Sequence, residues 1–235
     1  MSKWAFLGSG EFEPWHDEVD RRLAGGGSGT VLVAPTASAH EGEETFDAWA
    51  TKGLEHYERL GMPVRSLPLR TREDAARDDM VAALDDASLI FFSGGNPWRL
   101  AEALRGTPFW DRLTDRLAEG MAYAGCSAGV ACLSERTFDS DSDDMDQIFK
   151  PGIGHIRGVL FAPHWDMVDT WIPGARAFIA SSVGERETLI GIDERTAMVG
   201  DGRAWVVEGA GGIHVLRSGG WTEHRRGAVF DLPLV

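Results

Sequence analysis

Cysteine is scarce in this chain of 235 residues, where only Cys126 and Cys132 occur. Their close spacing, on what should be one turn and helix, argues against a disulfide and offers too few ligands for a zinc site. They are therefore buried thiols or chemistry. Positive charge is scarce as well: 23 Lys and Arg stand against 37 Asp and Glu, a net charge of -14. Such a chain repels nucleic acid and anionic membrane, and a cationic or zwitterionic small substrate suits it better. Long apolar runs are missing too. The opening MSKWAFLGSGEFEPW holds no stretch long enough for a signal peptide, and no window approaches the roughly 20 apolar residues of a membrane span. These absences lead to the expectation of a cytoplasmic protein, monomer or homodimer, with no nucleic-acid or membrane partner. With no internal repeat, no linker and 43% hydrophobic residues to fill a core, residues 1–235 read as a single α/β domain.

Two familiar loops are also lacking. In TFDSDSDDMDQIFKPGIGH, Asp139, Asp141 and Asp143 are spaced like the start of a calcium loop, with Asp144 and Asp146 close behind. Asp144 stands where the required glycine belongs, however, and Lys150 replaces the bidentate glutamate. No metal is expected there; a mobile acidic loop near the site, drawing in the positive end of a substrate, is the better reading. In LGSGEF, Gly8 and Gly10 are followed by Glu13 where a dinucleotide fingerprint needs its third glycine. No cofactor is expected, and the loop reads as the rim of a site.

What is present is an alternation of short apolar runs, bounded by Gly, Pro or Asp, with segments of helical period. Strands are expected at 3–8, 30–35, 63–69, 88–95, 121–126, 158–165 and 188–193. Several are apolar throughout, as when both faces of a parallel sheet are covered by helices. Phe46, Trp49, Leu54, Tyr57 and Leu60 fall on one face of a helix, with His56 at a solvated edge, and Trp110, Leu113 and Leu117 on one face of another. After Thr196 the DG, GG and SGG turns separate short strands, so the chain should finish as antiparallel hairpins.

The segment YAGCSAGVACLSE carries the first chemistry. Gly125-Cys126-Ser127-Ala128-Gly129 fits the nucleophile-elbow pattern G-x-S-x-G, with a plausible buried strand before it and a helix start after it. Small neighbours permit the tight turn, and the following helix aims its first amides at an oxyanion. Ser127 holds the tip; Cys126, one step earlier, should point into the packing. A serine nucleophile needs a base and usually an acid that orients it. Of the seven histidines, His164 ends the run GVLFAPHW and Glu194 closes TLIGIDE, and functional groups gather at carboxyl ends of strands in open α/β sheets. A structural hydrogen-bonding histidine and a solvated glutamate fit these positions as well. In SLIFFSGGNPWRL, Gly94 and Gly95 precede Asn96 as a helix cap and Pro97 at the first helical position. The glycine pair suits half of an oxyanion hole, completed by the Ala128 amide, or a tight turn that merely starts a helix.

Taken together and in order, SGGNPWRL, AGCSAGVA, APHWD and IGIDERTA resemble the dipeptidase E and cyanophycinase family of serine peptidases. The resemblance runs from LGSGEF to the hairpins after Ala197. It implies an open, mostly parallel α/β sheet flanked by helices, like the class I glutamine amidotransferase domain and flavodoxin-like. It also implies Ser127 as nucleophile, His164 as base, Glu194 as the orienting acid, Gly95 and Ala128 as oxyanion donors, and Asn96 and Arg176 at the substrate. The implied reaction is hydrolysis of a small peptide or isopeptide through an acyl-serine. The segment WDMVDTWIPGARAF supplies only Arg176 for the arginine tied to aspartyl specificity in this family, and it matches loosely. Two alternatives stand: an amidotransferase-like enzyme with an active thiol at Cys126, and a repurposed ligand- or protein-binding module.

Overall fold

The computed structural model describes residues 3–25, 29–218 and 220–234; the Asp146 side chain and Gly219 of the expected SGG turn lie outside the described residues. The strands are β1 (Lys3–Leu7), β2 (Thr30–Ala34), β3 (Val64–Ser66), β4 (Ala87–Phe92), β5 (Ala122–Cys126), β6 (Arg136–Phe138), β7 (Phe149–Pro151), β8 (Val159–Pro163), β9 (Thr188–Ile192), β10 (Thr196–Gly200), β11 (Ala204–Gly209), β12 (Gly212–Arg217), β13 (Gly220–Arg225) and β14 (Val229–Asp231). The helices are α1 (Asp17–Ala24), α2 (Glu43–Arg59), α3 (Asp78–Ala82), α4 (Pro97–Leu104), α5 (Pro108–Ala118), α6 (Ala128–Ala131), α7 (Val168–Trp171) and α8 (Ala175–Ser181). The main sheet has the order β14-β11-β10-β1-β5-β4-β2-β3. Its pairs from β1 through β3 are parallel, and β10, β11 and β14 continue it antiparallel beyond β1.

Successive residues of the central strands alternate between two cores, as the two-residue period of a strand requires. Trp4, Phe6, Leu32, Ile90, Phe92 and Tyr123 face one side, with α4 and α5. Ala5, Leu7, Val31, Val33, Leu89, Phe91 and Cys126 face the other, with Val19 and Leu23 of α1 and Tyr57 of α2. Both faces being covered, these strands carry apolar residues throughout, as expected from the sequence.

The strands near residues 160 and 190 differ from a one-sheet picture. β8 and β9 pair in parallel with each other, and with β12 and β13 they make a second, four-stranded sheet. Phe161, Ile190, Ile192, Ile213 and Val215 join the core of Trp4 and Phe6, so this sheet packs over the main one. A two-residue-period pattern cannot reveal such a split, because β10 enters the main sheet beside β1 directly after β9 leaves the second. The expected strand at 63–69 shortens to β3, since Pro68 has no amide to continue the ladder. The packed face of α2 is Phe46, Ala50, Gly53, His56 and Tyr57. His56 is buried rather than at a solvated edge, because Asp20 of α1 meets it there. Among the described residues, no helix is long and apolar enough to cross a membrane.

Candidate active site

Ser127 stands between the end of β5 and the start of α6 with φ 51° and ψ -106°, a conformation L-residues adopt only at a cost of order 1–3 kcal/mol. The elbow is held from both sides. The Ser127 amide donates to the Leu7 carbonyl at the end of β1 (3.0 Å), and the Ser127 carbonyl accepts from Val130 and Ala131. The flanking glycines are sterically required: a Cβ on Gly125 would collide with the Gly129 carbonyl, and one on Gly129 with the Phe92 carbonyl of β4.

His164 follows β8 and is also left-handed, with φ 55°. Its carbonyl accepts from Met167 and Val168, opening the turn into α7, while the Trp165 amide donates to Ile192 of β9. This turn aims the imidazole across the gap between the two sheets. His164 Nε2 lies 2.9 Å from Ser127 Oγ, and Nδ1 lies 3.1 Å from Glu194 Oε1. Glu194, in the β9–β10 turn, is fixed through its amide by Asp166 (2.8 Å) and through its carbonyl by the Thr196 hydroxyl. The chain Glu194–His164–Ser127 is geometrically able to take a proton from the hydroxyl and stabilise the imidazolium that results.

Gly95 and Ala128 lie beside Ser127 on one cavity wall, and among the described residues neither amide donates to a protein acceptor. Gly95 has φ 134°, and a Cβ there would strike the Ala37 carbonyl. The preceding Gly94 amide is occupied: it donates to Glu11 Oε1 at 2.8 Å, while the Cys126 thiol donates to Glu11 Oε2 at 3.0 Å. Glu11 thus ties the LGSGEF loop to both the glycine turn and the elbow strand. Sequence reasoning placed that loop at the rim but did not single out its acid; the signal was a carboxylate just past the end of β1, the neighbour of β5. Burial, and then the Glu11 carboxylate, push the Cys126 thiol far above its ordinary pKa. A thiolate nucleophile is disfavoured there.

The two residues expected at the substrate both have protein partners. Asn96 is buried with its amide fully engaged: Oδ1 accepts from the Trp98 and Arg99 amides as the cap of α4, and Nδ2 donates to Asp139 (2.8 Å) and Asp141 (2.7 Å). Asp141 also meets His40, so the acidic segment is tied down at its start rather than hanging free. Arg176 pairs with Asp169 through its amide and Nε (2.9 and 2.8 Å) and lines a separate depression with Trp165, His214 and Trp221. It does not line the cavity at Ser127.

Another histidine–acid group lies under α1 and α2. His56 Nε2 donates to Asp20 Oδ2 at 2.7 Å and the Tyr57 hydroxyl to Oδ1 at 3.1 Å. His16 Nδ1 stands 2.7 Å from Oδ2, but off the line of a hydrogen bond. Three buried ligand-type atoms converge here. Arg59, however, donates to His56 Nδ1 at 3.0 Å, which leaves Nε2 as the protonated nitrogen and without a lone pair for a cation.

An elbow serine at the end of a parallel strand, met by a histidine–acid pair, is the layout of the α/β serine hydrolases. The sequence model of peptidase family S51 matches residues 1–206, and the chain belongs to that family. It is 30% identical over 182 residues to the cyanophycinase of Synechococcus elongatus, covering 74% of this chain and 53% of that one. The chain thus spans about half the length of the curated cyanophycinases it matches. It is also 35% identical to the peptidase E of Streptomyces coelicolor over 91 residues, 37% of this chain and 36% of that one. The crystal structure of a peptidase from an acI-B1 actinobacterium superposes with a TM-score of 0.88 at 32% identity, covering 99% of this chain and 97% of that one.

Proposed function

We propose that the chain is a serine peptidase that hydrolyses small peptides or isopeptides through an acyl-serine. The observation that carries this reading is the continuous line from Glu194 through His164 to the hydroxyl of a strained elbow serine. Ser127 Oγ bonds to the substrate carbonyl carbon as its proton passes to His164 Nε2. The amides of Gly95 and Ala128 receive the negative oxygen, and Glu194 holds the imidazolium. The carbon–nitrogen bond then breaks and the leaving amine takes the proton from His164. Water, deprotonated by His164, cleaves the ester and returns the hydroxyl. Family membership and the relatives named peptidase E and cyanophycinase support peptide-bond chemistry.

The test is a mass-spectrometric screen of the purified protein against α- and β-aspartyl dipeptides, other dipeptides and short blocked peptides, with Ser127→Ala alongside. Cleavage that vanishes in the variant is the expected result. No cleavage by either protein, or equal cleavage by both, would overturn the reading in favour of a repurposed binding module.

A further inference from the structure

Next to Ser127 the fold leaves a cavity of about 280 Å³. Its walls come from three directions: Phe138 at the end of β6, Met145 and Ile148 from the acidic segment, and Trp171, Phe178 and Ile179 from α7 and α8. Trp171 and Ile172, 55% and 47% exposed, leave an apolar surface in water at this site, the kind of surface that marks a binding site. Trp171 also packs its ring against His164, with centroids 5.1 Å apart.

We propose that this cavity receives the side chain of the residue whose carbonyl Ser127 attacks, and that it selects a bulky apolar side chain of the size of leucine, methionine or phenylalanine over aspartate. The inference rests on the serine-peptidase reading and deepens it. Ser127, Gly95 and Ala128 all line this cavity. A carbonyl carbon at the serine, with its oxygen toward the two amides, therefore puts its own α-carbon at the cavity mouth. The volume holds one large side chain and is below the usual range for a drug-sized ligand. Among the described lining residues the single ionisable group is Asp139, and no Lys or Arg is present. An aspartyl side chain entering here would lose water beside a like charge with no cation to compensate it. The candidate arginine, Arg176, is committed to Asp169 in another depression.

The experiment compares kcat/KM for peptides that differ only at the acyl-side residue, set to Leu, Met, Phe, Ala, Asp or Lys. Labelling of the protein by a fluorophosphonate probe small enough not to need the cavity is measured in parallel. The expected result is labelling that Ser127→Ala abolishes, with the large apolar residues favoured over Asp by about 10²-fold or more. Ala175→Trp, which fills the cavity from α8, should lower kcat/KM for the Leu, Met and Phe peptides more than for the Ala peptide and so remove their advantage. If that variant misfolds, Phe178→Ala serves instead by enlarging the cavity and shifting preference from Leu toward Phe. Serine labelling with no preference, or with preference for Asp or Lys, overturns the cavity assignment and leaves the serine reading standing. Absence of both labelling and hydrolysis overturns the serine reading, and the assignment with it.

Discussion

Among the histidine–carboxylate groups of the described residues, the one at Asp20 and the one at His164 differ in a way that separates structure from chemistry. Around Asp20 every member is buried: His16, Asp20, His56 and Tyr57 are at most 3% exposed, and the carboxylate is met on both oxygens. Around His164 the side chains are a quarter to a third exposed, the serine and histidine backbones are both left-handed, and an open cavity adjoins them. In the Asp20 group, Asp20, His56 and Tyr57 satisfy one another, as buried polar groups that stabilise a core do. A hydroxyl, a base and two undonated amides converging on a cavity wall form a site where substrate atoms complete the bonding.

The sharpest way to test this contrast is Ser127→Ala read twice. Turnover should fall by roughly 10⁴-fold or more, whereas the unfolding free energy should move by less than about 1 kcal/mol, since the hydroxyl's protein partner is the partly exposed His164. Chemical denaturation alongside the peptide assay measures both. A large stability loss would place Ser127 with the structural group instead.

Asp20→Ala should give the reverse. It leaves the buried His56 ring and the Tyr57 hydroxyl without their acceptor, a change that typically costs about 3–5 kcal/mol, while kcat per folded molecule stays close to that of the parent. The same group sets an acid limit. Burial alone would raise the Asp20 pKa, but His16 and His56 more than offset it and hold the carboxyl below its ordinary value. A carboxylate with a depressed folded pKa contributes its full stability above the ordinary value of 3.8, and loses it as pH falls through the folded value. The parent should therefore lose stability below pH 3.8 along a steeper curve than Asp20→Ala does. Parallel curves would remove Asp20 from the account.

Much of this contrast was open to reading in the sequence, and the reason lies in sequence distance. The elbow is local: Gly125 and Gly129 are glycines because of backbone atoms within a few residues or on the adjoining β4, so G-x-S-x-G between strand and helix was legible. His164 and Glu194 were legible as strand ends, and the family resemblance singled them out among the histidines and acids. His56 was misread because helical periodicity counts histidine as a polar edge residue, and Asp20, which buries it, is 36 residues away. The partner of Arg176 was illegible for a similar reason: its direction is set by Asp169 across the α7–α8 turn. The split into two sheets depends on which strand takes the place beside β1, which no local pattern records.

Glu11 joins the site to the loop after β1, and its effect should be intermediate. Glu11→Ala frees the Gly94 amide and lets the Gly94–Gly95 peptide rotate, so the proposed oxyanion donor, the Gly95 amide, moves while substrate contacts remain. A misplacement of this kind costs about 10²-fold, and it should fall on kcat with KM little changed. Glu11→Gln keeps an acceptor for Gly94 and should recover most of the loss. A KM effect, or no recovery by glutamine, would show that Glu11 acts by supporting the loop alone.

The smallest effect is expected at Cys126, which also decides between thiol and hydroxyl chemistry within the elbow. The two side chains are adjacent in sequence but face opposite ways: Ser127 lines the cavity, while Cys126 is fully buried against Glu11. Removing the thiol in Cys126→Ala takes one weak donor from Glu11 and leaves its bond to Gly94, so activity should fall less than about 10-fold, in line with the loss of one weak hydrogen bond. The folded protein should also resist alkylation by iodoacetamide at pH 8, because burial and the neighbouring carboxylate keep the thiol protonated. Rapid alkylation with loss of activity, or inactivity of Cys126→Ala, would move the nucleophile one residue back and turn the site into a thioester-forming one.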